Sequence, residues 1–129
     1  MANNLYPKFK ESALQAGVNM STGTVKVALV DTGTYTYSST HQFLSSLTGV
    51  VGTAQTIGSK TFTNGIFDGA DVTFPSVASG TANAIVLYVK NAGANTTWQL
   101  VAYLDTGITG LPVTANGGNI TITWNASGI

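Results

Sequence analysis

The 129-residue chain has no cysteine, no arginine and a single histidine, His41. The missing cysteine removes disulfide frameworks, thiolate metal sites and cysteine nucleophiles from consideration. Charge of either sign is scarce as well: 8% of residues are charged, against roughly a quarter in ordinary globular domains. The five lysines (Lys8, Lys10, Lys26, Lys60, Lys90) are scattered and matched by Glu11, Asp31, Asp68, Asp71 and Asp105, giving a formal net charge of zero. Phosphate-backbone binding leans on clustered Lys and Arg, so no nucleic-acid partner is expected. Long apolar runs are also absent. Nothing approaches the roughly 20 residues of a membrane helix, and the opening MANNLYPKFKESALQAG lacks the apolar core of a signal peptide. No membrane partner is expected, and synthesis in the cytoplasm is.

What fills the chain instead is Thr, Ser, Asn, Gln and β-branched apolar residues, a composition suited to strands with uncharged exposed faces. A length of 129 residues fits one domain with a genuine core. Period-two alternation recurs along it. TVKVALV places Val25, Val27 and Leu29 on one face, NITITW places Ile120, Ile122 and Trp124 together, and WQLVAYL aligns Trp98, Leu100, Ala102 and Leu104. AIVLYV at 84–89 is apolar on both faces, which suits a central strand or one covered by a neighbouring subunit. Asn64-Gly65 between KTFT and IFD is a strong hairpin signal, and DGAD, NAGAN and NGGN separate further strands. The pattern predicts an all-β fold, an antiparallel β-sandwich or jelly roll of seven or eight short strands with a short N-terminal helix.

Helical spacing is clear once, where Leu5, Phe9, Ala13 and Ala16 share a stripe, with Asn4 as candidate N-cap, Pro7 in the first turn and Gly17 as a stop. A second helical turn is expected at 40–47, around Phe43, Leu44 and Leu47. The domain plan is therefore a helical arm over 1–17 and one β-sandwich domain over 18–129. So short a helix is marginal in water unless its stripe packs on something, which makes Leu5, Tyr6 and Phe9 the candidate partner-binding residues. Sparse charge protects a surface poorly against association, so a homo-oligomer, a dimer or trimer, is expected.

Two strands run into the same tripeptide: VALVDTG at 27–33 and VAYLDTG at 101–107. Apolar residues followed by Asp-Thr-Gly are the local signature of an aspartic peptidase, whose two carboxylates share a proton. In that family Ala or Ser normally follows the glycine, whereas Thr34 and Ile108 stand here. The same tripeptide also ends a strand well, since Asp accepts hydrogen bonds from the following backbone and Gly supplies positive φ. The turn reading is favoured and no catalytic residue is assigned. His41 has no partners for a triad or a two-histidine metal site. Asp68 and Asp71 lack EF-hand spacing, so neither metal nor cofactor is expected. Trp98, Trp124, Tyr35 and Tyr37 would make a sugar-stacking platform if exposed, although large aromatics at inward strand positions more often belong to a core.

The segments NNLYPKFKE, TVKVALVDTGTYTYSSTHQFLSS, GIFDGADVTF, AIVLYV and LVAYLDTGITGLPVTANGGNITITW together resemble small structural proteins of tailed bacteriophages. The resemblance implies a virion component rather than an enzyme. Within that class it suggests a capsid decoration or cement protein that docks on the outer surface of the shell, with the major capsid protein as partner. The alternative is a tail or fibre-associated β protein that binds host glycans.

Overall fold

The computed structural model describes residues 3–129. In chain order its elements are β1 (Asn4–Leu5), α1 (Pro7–Leu14), β2 (Thr24–Val30), β3 (Val50–Thr56), β4 (Thr61–Thr63), β5 (Ile66–Asp68), β6 (Val72–Phe74), β7 (Thr81–Ala82), β8 (Ala84–Lys90), β9 (Gln99–Leu104), β10 (Val113–Thr114) and β11 (Ile120–Ile122), with short 3-10 turns at Leu44–Ser46 and Asn95–Thr97. The fold is all-β, with antiparallel pairing throughout and one short helix. A five-stranded sheet in the order β1-β9-β8-β2-β3 carries three two-stranded ribbons, β10-β7, β11-β6 and β4-β5. No helix among the described residues is long and apolar enough to cross a membrane.

The large sheet is covered on both faces by its own chain. On one face Val25, Val27, Leu29, Ile85 and Leu87 meet Val72, Phe74, Ile120, Ile122 and Trp124 from β6, β11 and the residues after them, the sandwich-like layer. On the other, Ala28, Val30, Ala84, Val86, Tyr88 and Tyr103 are closed over by Tyr6, Tyr35 and the partly buried Tyr37, Leu44 and Leu47. The two-sided strand AIVLYV is therefore central, between β2 and β9, and needs no neighbouring subunit to bury it. The same second layer explains why TVKVALV is buried on both faces from Val27 onward rather than half-buried, as alternation suggested.

Local chemistry sets the breaks in the ladders. Asn64 and Gly65, with φ of 53° and 75°, both take the left-handed conformation that a two-residue hairpin of this hand requires. They join β4 to β5 with Phe62 opposite Phe67. In β9 the register slips by one residue, Leu87 facing Ala102 and Tyr88 facing Leu100, so Val101 is a bulge. The bulge splits the stripe expected for WQLVAYL: Leu100 joins Tyr103 on one face, while Ala102 and Leu104 belong to the other. A second bulge, in β3, lets Leu29 face Val51 only two residues after Val27 faces Gln55, and Gly52 inside it has φ 70°.

Candidate docking surface

The N-terminal segment is built into the sheet. Asn4, the expected helix cap, lies opposite Tyr103 and Leu5 opposite Ala102, and the Tyr6 N–H donates to Val101 O at 3.0 Å, across the bulge. The cap position of α1 belongs to Tyr6, whose extended backbone leads into Pro7 at the first helical turn with no side-chain cap. Proline suits that position because its missing N–H would have no helical partner there. Residues 4–14 thus continue the sheet and then pack a short helix on β9, and a loop that includes Gly17 leads on to β2.

Of the three residues assigned to partner binding, Tyr6 is turned the other way. Its side chain is fully buried in its own domain, and its hydroxyl pairs with the Tyr35 hydroxyl at 2.8 Å. The segment must cross the sheet edge before the helix starts, and alternation along it sends Tyr6 inward while Leu5 faces out. Leu5 is 47% exposed. Leu5 and Phe9 line an apolar groove of about 310 Å³ with Met20, Phe67, Leu104 and Ile129. Phe62, also half exposed, stacks on Phe67 with ring centroids 5.2 Å apart and extends the apolar surface along the β4–β5 hairpin. Ile66, at the same hairpin, is 48% exposed. Sequence reasoning missed this hairpin contribution, although Phe62, Ile66 and Phe67 around Asn64-Gly65 carried the signal: large apolar residues on short strands that a small ribbon cannot bury.

Behind the segment lies an aromatic cluster. Tyr6 packs on Tyr37, Tyr37 on Tyr103 and Tyr35 on Tyr103, with centroid distances of 5.1, 5.5 and 6.2 Å. The Tyr35 hydroxyl also meets His41 Nδ1 at 2.8 Å, so the half-buried His41 ends a chain of hydrogen bonds reaching the interior. Burial removes the phenols from water, which disfavours the phenolate. It pushes Tyr6, Tyr35 and Tyr88 above the ordinary tyrosine value and Tyr103 up to about 12, where the Asp105 charge adds to the effect.

β2 and β9 are both antiparallel to β8 and therefore parallel to each other, so both Asp-Thr-Gly turns leave the same end of the sheet. With β8 between them the strand ends stand about 9–10 Å apart, two strand spacings. Asp31 Oδ1 accepts the Gly33 N–H at 2.8 Å, while Asp105 Oδ1 accepts the Thr106 hydroxyl at 2.9 Å. Asn3 Oδ1 accepts both the Asp105 and Thr106 N–H groups. Asp31 closes its own turn, whereas Asn3 closes the second one. Comparison with protein-family models, with curated proteins and with solved structures finds no match.

The other candidate carboxylates bond to backbone N–H groups, one nearby and one across the fold. Asp68 accepts the Gly69 N–H and Asp71 the Trp124 N–H, and among the described residues no three His, Asp or Glu side chains converge on a metal position. Of the four candidate sugar-stacking aromatics, Tyr35 and Tyr37 meet at Tyr103, Trp98 in the same layer lies flat on Tyr88 (interplanar angle 3°) with Lys90 above its ring, and Trp124 is buried in the opposite layer, so no four-ring platform forms.

Proposed function

We propose that this protein is a non-enzymatic structural component of a tailed-bacteriophage virion, a decoration protein that binds the outer surface of the major capsid shell and stabilises it. The apolar groove at Leu5 and Phe9, continued by Phe62 on the hairpin, is the observation that carries the docking part of this reading. It is a surface on which a partner gains apolar burial at about 25 cal/mol per Å² with little charged area to desolvate. The virion class itself rests on the sequence resemblance. A domain whose large sheet is buried on both faces by its own chain suits a part that must stay folded alone and then lock onto a lattice. Exposed Leu5, Leu14, Val50, Phe62 and Ile66 give a homo-oligomer apolar area to use.

Deleting the N-terminal segment through Ala16 would take Tyr6 out of the interior, so the test uses surface changes. Leu5→Ser with Phe62→Ser alters two exposed side chains and leaves the core intact. Wild-type protein is expected to co-sediment with expanded capsids lacking it and to raise their rupture temperature, and the double variant to lose at least tenfold in binding while its own melting temperature holds. Wild-type protein that binds no capsid form but does bind isolated tails would overturn the head assignment in favour of the tail. Undiminished capsid binding by the double variant would remove the groove from the docking surface.

A further inference from the structure

We infer that Lys26 and Lys90, on the face of the large sheet at its Thr24 end, form a binding site for a carboxylate ligand bearing two or more negative charges. The inference does not depend on the virion reading. Thr24 lies opposite Lys90 and Lys26 opposite Tyr88 across β2 and β8, so both lysines project from the same face on diagonal positions. They line an open depression of about 440 Å³ whose other polar side chains include Thr22, Thr24 and Thr56.

Three features make this depression unlike the rest of the surface. The first is unbalanced charge. Of the other lysines, Lys8 pairs with Glu11 and Lys60 is held by the carbonyls of Met20, Ser21 and Gly23, which leaves Lys10 isolated on its helix. Asp31, Asp68 and Asp71 accept from backbone N–H groups in their own loops or on the flank of β11. Among the described residues no carboxylate lies within ion-pairing distance of Lys26 or Lys90. Two ammonium groups side by side repel, and an anion between them reverses the sign of that interaction.

The second is preorganisation. Lys90 Nζ sits 5.1 Å from the centre of the Trp98 ring, and that ring is fixed from behind by its parallel stack on Tyr88 and by the Nε1–H bond to Gly93 O at 2.9 Å. A cation held over an aromatic face loses less rotamer freedom on binding than a free lysine. The third is the donor set. The Thr22, Thr24 and Thr56 hydroxyls add neutral donors at the rim, with no side-chain partner among the described residues. With no arginine in the chain, the site has point charges rather than a planar fork, so it selects for charge and spacing. A small polycarboxylate or paired acidic side chains on a protein segment meet that requirement alike.

The test follows backbone amides and lysine Cε resonances by NMR during titration at low salt, with citrate in one arm and a hexaglutamate peptide in the other. Wild-type protein is expected to show saturable shifts at Thr24, Lys26, Thr56 and Lys90 in at least one arm. Lys26→Met or Lys90→Met should weaken affinity about tenfold, and the double variant should abolish it with its melting temperature retained. Saturation by citrate alone would identify a small-molecule site, and tighter binding of the peptide an acidic protein segment. Should the double variant fold poorly, saturable Cε shifts of Lys26 and Lys90 in the wild type decide the matter alone. No saturable shift in either arm, equal shifts at Lys8 and Lys10, or full binding by a folded double variant would overturn the inference.

Discussion

Removing the hydroxyl of Tyr35 should cost more than removing that of Tyr6, although the two oxygens share one hydrogen bond. Tyr6 is fully buried and its hydroxyl meets Tyr35 at 2.8 Å; Tyr35 meets both Tyr6 and His41 Nδ1. In Tyr6→Phe the Tyr35 hydroxyl keeps His41, so the loss is one net hydrogen bond, about 1 kcal/mol. In Tyr35→Phe the Tyr6 hydroxyl is stranded in the interior and carries its full desolvation penalty, roughly 2–3 kcal/mol in total. The double variant Tyr6→Phe/Tyr35→Phe removes both partners and should fall near or below Tyr35→Phe alone, well short of the sum. Urea unfolding followed by the fluorescence of Trp98 and Trp124 measures all three, and thermal melts should separate the two single variants by several degrees, at roughly 3–5 °C per kcal/mol for a chain of this size. A Tyr6→Phe cost equal to or above that of Tyr35→Phe, or simple additivity, would refute the chain of hydrogen bonds as described.

Alkaline pH should unfold the protein early. The folded state holds Tyr6, Tyr35, Tyr88 and Tyr103 above the unfolded value of 10.0, with Tyr103 near 12. Their contribution is complete below pH 10 and is lost as pH rises above it, at up to about 1.4 kcal/mol per tyrosine per pH unit; a melting temperature unchanged from about pH 9 to about 11.5 would contradict this. Gly65→Ala should cost about 1 kcal/mol by backbone strain alone, because φ is 75° and a methyl there meets nothing within 4 Å; a neutral result in chemical denaturation would mean the hairpin relaxes. Lys60→Met should cost about 2 kcal/mol and speed amide exchange across residues 19–23, since three carbonyls lose one cationic donor. Unchanged exchange would show that the loop holds itself. Asp31→Asn with Asp105→Asn should leave a peptide library uncleaved, as in the wild type, and pepstatin-sensitive cleavage lost in the variants would reverse the non-enzymatic reading.

Period-two alternation and turn chemistry were enough to write down most strands and the β4–β5 hairpin, because a strand's faces and a left-handed turn are decided within a few residues. Ile120, Ile122 and Trp124 share the buried face as spaced, and Asp31 caps its turn as an Asp before Thr-Gly should. The candidate site was only partly legible. Leu5 and Phe9 were visible as an apolar stripe, Tyr6 was grouped with them as a large side chain on the same short helix, and only the pairing of Asn4–Leu5 with β9 turned Tyr6 inward. Trp98 and Leu100 looked like one face with Ala102 until the Val101 bulge divided them. Local sequence sets what each residue prefers to its near neighbours. Which strand lies beside which, where a ladder slips, and how a loop such as 31–49 folds back to bury a second face depend on contacts between residues far apart in the chain. Those contacts exist only once the core has closed, so the tertiary structure alone decided that the apolar strand at 84–89 is satisfied at home and that Lys26 and Lys90 line one depression.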